Sequence, residues 1–181
     1  MQRESKDDMI EIRQALKNDA KGIIDMYNEF LDSNGVNNPP RWTKGVYPSE
    51  SYVNDTISNN TMHVAVCEGE IVSAMVLNHE FTSGYETVNW DIDVPDNEVI
   101  SLHTLCVNIN YKRRGIATEM MRYAVSFARE NGFKAVRLDV IDGNDSANKF
   151  YKSAGFVCKG EHKLVYDSTD CTKFTMYEYI V

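Results

Sequence analysis

The chain has 181 residues, of which 43% are hydrophobic and 25% charged, and a net charge of −8. This is the size and balance of one globular domain able to bury its own core, and the acidic excess argues against a nucleic-acid partner. No apolar run approaches the ~20 residues that cross a bilayer, so no membrane partner is expected. Cys67, Cys106, Cys158 and Cys171 and the four histidines are scattered without metal or redox spacing, so no metal is expected.

Residues 1–8, MQRESKDD, form a polar extension without the apolar stretch of a secretory signal. The expectation is a flexible segment at 1–8, one domain over 9–181, and a cytoplasmic location. From Met9 to Ala15 apolar and polar residues alternate, which predicts a strand. Asn18 or Asp19 then caps a helix with Ile23, Ile24, Tyr27, Phe30 and Leu31 on one face, ending at Asn34-Gly35. Pro39-Pro40 marks a loop, and a second helix begins at Pro48-Ser49-Glu50 and runs to about Ser58. Met62–Cys67 and Ile71–Leu77 read as a hairpin turned by Glu68-Gly69-Glu70.

Phe81 to Asn97 lacks periodicity, yet it holds Phe81, Tyr85 and Trp90 among acids; long loops of this kind tend to be functional, here as a lid. Glu98–Asn108 is the next strand. It leads through a basic turn into a helix with Ile116, Met120, Tyr123, Ala124 and Phe127 on one face, closed by Asn131-Gly132. Val136, Leu138 and Val140 mark a strand, Asp145–Ala154 a short helix, and Lys173–Val181 a final strand. This order of elements is α/β or α+β.

Between Gly45 and Tyr111 there are ten acidic residues and no Lys or Arg. The basic turn Lys112-Arg113-Arg114-Gly115-Ile116-Ala117 begins where that block stops. It is not a Walker A loop, which needs G-x-x-x-x-G-K-[ST], nor a dinucleotide fingerprint, which needs G-x-G-x-x-G. A nucleic-acid patch and a plain solvated charge run are the remaining bland alternatives. A strand that empties through glycine into a helix aims free amides, the helix dipole and three cations at one point, as a phosphate-bearing ligand requires.

The segment resembles the acetyl-CoA signature [Q/R]-x-x-G-x-[G/A] of the GNAT (Gcn5-related) N-acetyltransferase superfamily. Gly115 and Ala117 match, while Lys112 stands in the first position. Leu105-Cys106-Val107 matches the strand before the turn, and Asn144, Ala147, Tyr151 and Gly155-Phe156 match the family's later element in the expected order. The resemblance is strongest over 98–156. It implies a single-domain acyl-CoA N-acyltransferase fold: a mixed, mostly antiparallel central sheet flanked by helices, with a strand pair splayed between Leu102 and Val107. It also implies acetyl-CoA as co-substrate and an amine of a small molecule or peptide as acceptor, in a monomer or homodimer.

The implied roles follow. Amides from Arg113 to Thr118, with Lys112, Arg114, Gly115, Ile116 and Ala117, hold the pyrophosphate; Leu105, Cys106, Val107, Asn144 and Ala147 line the pantetheine. Tyr151 is the implied general acid, against the plainer reading of a half-buried tyrosine. Some members keep a Glu at the position of Ser101, which cannot act as a base. His103, on the same face by two-residue alternation, is the candidate base; Glu98 and water stay open, as does a structural histidine. Phe81, Tyr85, Trp90 and Glu98 are candidate contacts to a cationic or lysine-like acceptor. The alternative function is a non-catalytic acyl-CoA sensor or interaction module on the same fold.

Overall fold

The structure, a computed structural model, describes residues 10–34, 41–165 and 172–181. The expected extension at 1–8, the Pro39-Pro40 loop and Cys171 lie outside them. Alternation of Ile10 and Ile12 with Glu11 and Arg13 yields β1 (Ile10–Gln14). Asp19 closes a 3-10 turn, Lys17–Asp19, and its carboxylate accepts from the Leu16 N–H at 2.7 Å before α1 (Ala20–Asn34) begins. Arg13 donates to both Asp19 oxygens at 2.6 and 3.1 Å, which holds that carboxyl below the usual range. Ser49 Oγ accepts from the Tyr52 N–H at 3.1 Å and starts α2 (Glu50–Ser58), a side-chain cap of the expected kind.

β2 (Met62–Cys67) and β3 (Glu70–Asn78) form the expected antiparallel hairpin. β4 (Val99–Val107), α3 (Ile116–Glu130), β5 (Ala135–Ile141) and α4 (Asp145–Ser153) follow in the order read from the sequence. β6 (Val157–Leu164) was not expected. It is an edge strand with mostly exposed side chains, so VCKGEHKL carries no apolar alternation to announce it. β7 (Thr172–Ile180) completes a seven-stranded sheet in the order β1-β2-β3-β4-β5-β7-β6.

The pairs β1–β2, β2–β3, β5–β7 and β6–β7 are antiparallel, and β4–β5 is parallel. That parallel ladder consists of Val99↔Ala135, Ile100↔Val136 and Ser101↔Arg137, and it stops although both strands continue. The splay thus begins at Leu102, where the family pattern places it.

The chain divides into two compact units. The first takes in residues up to 33 with 43–76 and 104–120, the second 34–42, 77–103 and 121–181. In the first, Ile23, Met26, Tyr27, Val53, Met62 and Met75 are buried. In the second, Leu138, Leu164, Met176 and Tyr177 are buried. Each such aliphatic side chain contributes about 1.5–3 kcal/mol on leaving water.

Candidate active site

β4 is not regular. Thr104 has φ +52, in the left-handed region that a β-branched residue enters only under strain. Tyr27 Oη donates to the Thr104 carbonyl at 2.9 Å and Ser73 Oγ to the Cys106 carbonyl at 2.7 Å, which fixes the strand on either side of Leu105. Burial still alternates from His103 on, with His103, Leu105 and Val107 half-buried and Thr104 and Cys106 buried. Ser101, two residues before His103, is wholly buried. Burial pushes the Cys106 thiol up to about 12 against the opposing charge of Lys112, so it remains a protonated, inert thiol.

Past β4, Asn108 Oδ1 accepts from the Asn110 N–H at 2.9 Å and caps one 3-10 turn, Ile109–Tyr111. Lys112 to Gly115 then turn the chain into α3. Gly115 has a φ of +80, with nothing within 4 Å of where a Cβ would stand. Glu119 N–H is the first to close a helical bond, to the Gly115 carbonyl at 3.1 Å. The amides of Gly115, Ile116, Ala117 and Thr118 therefore have no acceptor in the helix, and they make no other hydrogen bond among the described residues. Lys112 Nζ lies 5.6 Å over the Phe30 ring and the Arg114 guanidinium 4.9 Å over that of Tyr111. Four unpaired amides at the positive end of a helix, beside cationic side chains, fit a pyrophosphate. Among the described residues no group of three or more His, Cys, Asp or Glu is placed to hold a metal.

In the second unit, Asn144 Oδ1 accepts from the Ala147 N–H at 3.2 Å and caps α4. The capping role is thus real, and it leaves the Asn144 side-chain NH2 without a partner among the described residues. Tyr151 follows two turns on, buried with its ring 5.8 Å from Phe156 and 6.0 Å from Tyr177. Burial, with the charge of Asp139 adding, lifts its phenol well above a tyrosine's ordinary value, so it is fully protonated at neutral pH.

His103 Nε2 lies 3.0 Å from Asn78 Oδ1 and 3.1 Å from the Glu80 carbonyl. Asn78 Oδ1 also accepts from the Glu80 N–H at 3.0 Å, so it is the amide oxygen and both partners of Nε2 are acceptors. Nε2 therefore carries the proton, and in the neutral ring Nδ1 holds the lone pair. Burial lowers the His103 pKa, with Asp139 and Glu80 opposing, so the neutral form is favoured. Glu98, the other candidate base, ends a 3-10 turn, Asp96–Glu98, and its carbonyl accepts from the Lys134 N–H at 2.8 Å.

Asp139 was not picked out from the sequence. Its carboxylate accepts from Tyr85 Oη at 2.6 Å, and its charge acts on both His103 and Tyr151. A signal was present: Arg137 and Asp139 alternate with Val136, Leu138 and Val140, putting two charges on one face of a central strand.

The acidic loop is tied to β5 and β6 by several contacts. Gly84 comes so close to β6 that a Cβ would stand 2.7 Å from the Lys163 carbonyl oxygen. Lys159 pairs with Asp91, and Arg137 Nη2 donates to the Ile92 carbonyl at 2.8 Å. Phe81, Tyr85 and Trp90 do assemble, with successive ring centroids 5.3 and 5.6 Å apart. Two of these rings are less open to a ligand than expected: Tyr85 is buried among Leu164, Phe174 and Met176, and Trp90 stacks on Arg137 with 4.4 Å between guanidinium and ring. Between them the loop and Arg137 enclose a cavity of about 500 Å³, with Glu86, Asp93 and Asp96 at its exposed edge.

The sheet order, the splayed β4–β5 pair and the amide-lined turn define an acyl-CoA N-acyltransferase fold. The model of the acetyltransferase (GNAT) family matches residues 23–156, and the chain belongs to that family. It is similar to an uncharacterized N-acetyltransferase of Methanocaldococcus jannaschii, 33% identical over 81 residues, which are 42% of this chain and 36% of that protein. It is also similar to the probable N-acetyltransferase camello of Xenopus laevis, 38% identical over 61 residues, 34% of this chain and 27% of that protein. The matched segments thus span little more than a third, or less, of these curated relatives. The crystal structure of a GNAT family acetyltransferase from Streptococcus agalactiae has the same fold, with a TM-score of 0.78 at 17% identity over 95% of both chains. No helix among the described residues is long and apolar enough to cross a membrane.

Proposed function

We propose that the protein is a cytoplasmic N-acetyltransferase that moves the acetyl group of acetyl-CoA directly onto a primary amine. The observation that carries this is the row of four unpartnered amides at Gly115–Thr118, beside the cations of the turn, in a chain of this family. These amides bind the pyrophosphate, Leu105 to Val107 and the Asn144 NH2 bond the pantetheine, and the N–H of Val107 or its neighbour stabilises the oxyanion. A neutral amine nitrogen bonds to the acetyl carbon as the carbon–sulfur bond breaks. His103 Nδ1 takes the proton the nitrogen loses, and Tyr151 Oη gives its proton to the departing thiolate.

The acceptor in this proposal is a cation before it reacts, small or lysine-like. Support comes from the absence of Lys and Arg between Gly45 and Tyr111 and from the exposed Glu86, Asp93 and Asp96. The test is CoA release over a panel of spermidine, aminoglycosides, amino acids and basic peptides. Tyr151→Phe should lower kcat by about 10²–10⁴ with acetyl-CoA affinity unchanged in calorimetry. Full rate in that variant removes Tyr151 as the acid. Tight acetyl-CoA binding without turnover on any amine makes the protein a sensor instead.

A further inference from the structure

Arg137 carries a donor that the fold does not use. It stands on β5 directly opposite Glu178 on β7, and the two side chains are 5% and 0% exposed. Nε donates to Glu178 Oε1 at 2.9 Å and Nη2 to the Ile92 carbonyl at 2.8 Å, while the plane of the guanidinium lies on Trp90. Glu178 Oε2 is engaged as well, by the Asp91 N–H at 2.7 Å. Nη1 makes no hydrogen bond among the described residues, and Arg137 is the one basic residue lining the 500 Å³ cavity. Nε and Nη2 hold the guanidinium in place, so an oxygen entering this cavity finds a donor that is already oriented.

The charges around the cavity decide which oxygen. Glu178 already balances the guanidinium, Glu86, Asp93 and Asp96 stand at the edge, and Asp139 is two residues further along β5. An anionic ligand enters against that field; a cationic one with a neutral oxygen does not. Tyr85, which lines the cavity, donates to Asp139, the carboxylate whose charge acts on His103 and Tyr151. Arg137 and Asp139 therefore lie along one stretch of strand, about 7 Å apart by strand rise.

We propose that Arg137 is a specificity-determining residue: Nη1 donates to an uncharged oxygen of the acceptor, an amide carbonyl or a hydroxyl, and so selects amines that carry one. The inference rests on the acetyltransferase reading above for the identity of the ligand as an acceptor amine.

Cadaverine, lysine, lysinamide and lysinol share a five-carbon diamine chain and differ in the oxygen they present. Their affinities for the full chain are measured by calorimetry, and CoA release is measured separately. Lysinamide or lysinol should bind about tenfold or more tightly than cadaverine, and lysine, with its carboxylate, more weakly than lysinamide. The amide and hydroxyl arms tell which oxygen is read. In Arg137→Lys, checked for fold by circular dichroism, the preference over cadaverine should vanish. Equal affinities in the unmodified protein, or no binding of any of the four, overturn the proposal whatever the variant does. Graded affinities without CoA release from these four or from any amine of the panel above leave recognition by Nη1 standing and remove the acetyltransferase reading. Equal turnover on all four with equal affinities does the reverse.

Discussion

Replacing Glu178 by Gln removes one charge from the second unit's core with almost no change in volume. In the folded protein the Glu178 carboxylate receives the Arg137 guanidinium on one oxygen and the Asp91 N–H on the other. Gln retains a single acceptor, so a donor loses its partner and the guanidinium is left buried without a counter-charge. Removing one member of a buried pair costs about 3–5 kcal/mol, and a lost hydrogen bond about 1–3 kcal/mol; these overlap, so about 3–4 kcal/mol is expected in all. For a chain of this length that is a fall of about 10 °C in Tm. Urea unfolding followed by far-UV circular dichroism gives the global loss. Fluorescence in a Trp42→Phe background reports on Trp90 alone, whose contact with Arg137 ties the loop to the sheet. The loss should be nearly independent of salt, since a buried pair is poorly screened. A loss under about 1 kcal/mol with unchanged Trp90 emission would show that the pair does not hold the loop.

In His103→Gln, kcat/KM should fall by about 10² or more, and the acid limb of the pH profile should disappear. In the unmodified protein that limb should lie below the ordinary histidine pKa of about 6.5, because burial lowers the pKa of His103. A limb unmoved in the variant would assign it to another group. His63 acts on stability instead: burial takes its pKa down to about 4, so the unfolded chain binds the extra proton first. Its contribution is complete above about pH 6.5 and is lost as pH falls towards 4, about 3 kcal/mol in total. Chemical denaturation of His63→Gln against the parent at pH 7.5 and 5 should show the difference shrinking by most of that amount. Gly115→Ala should cost about 1–2 kcal/mol through its φ of +80 and weaken acetyl-CoA binding. Unchanged affinity in calorimetry would mean that the turn does not need this conformation.

Features encoded locally were legible. Ser49 before Glu50, the Glu68-Gly69 turn and the Asn144 cap each place an element by side-chain or turn chemistry within a few residues. The amide-lined turn was legible for the same reason, since its amides and cations are consecutive. What escaped depends on partners distant in sequence. β6 is held by its pairing with β7 and by contact with the loop at Gly84, none of which leaves an apolar pattern in Val157–Leu164. The left-handed Thr104 is imposed on a sequence, S-L-H-T-L-C-V, that reads as uninterrupted strand, with Tyr27 bonded to its carbonyl. Trp90 and Tyr85 were read as ring faces for a ligand, but the cation on Trp90 is the chain's own Arg137 and Tyr85 serves the core and Asp139.

The two acceptors on His103 Nε2 have a dynamic consequence. A histidine that accepted and released a proton at its only anchored nitrogen would have to break and remake that anchor in every cycle. Here the anchored nitrogen is a donor in both protonation states, to Asn78 and Glu80, and the change occurs at Nδ1 on the other side of the ring. The imidazole can therefore load and unload a proton without turning. Little reorganisation energy is added to the step, and the timing of proton transfer is left to whatever approaches Nδ1.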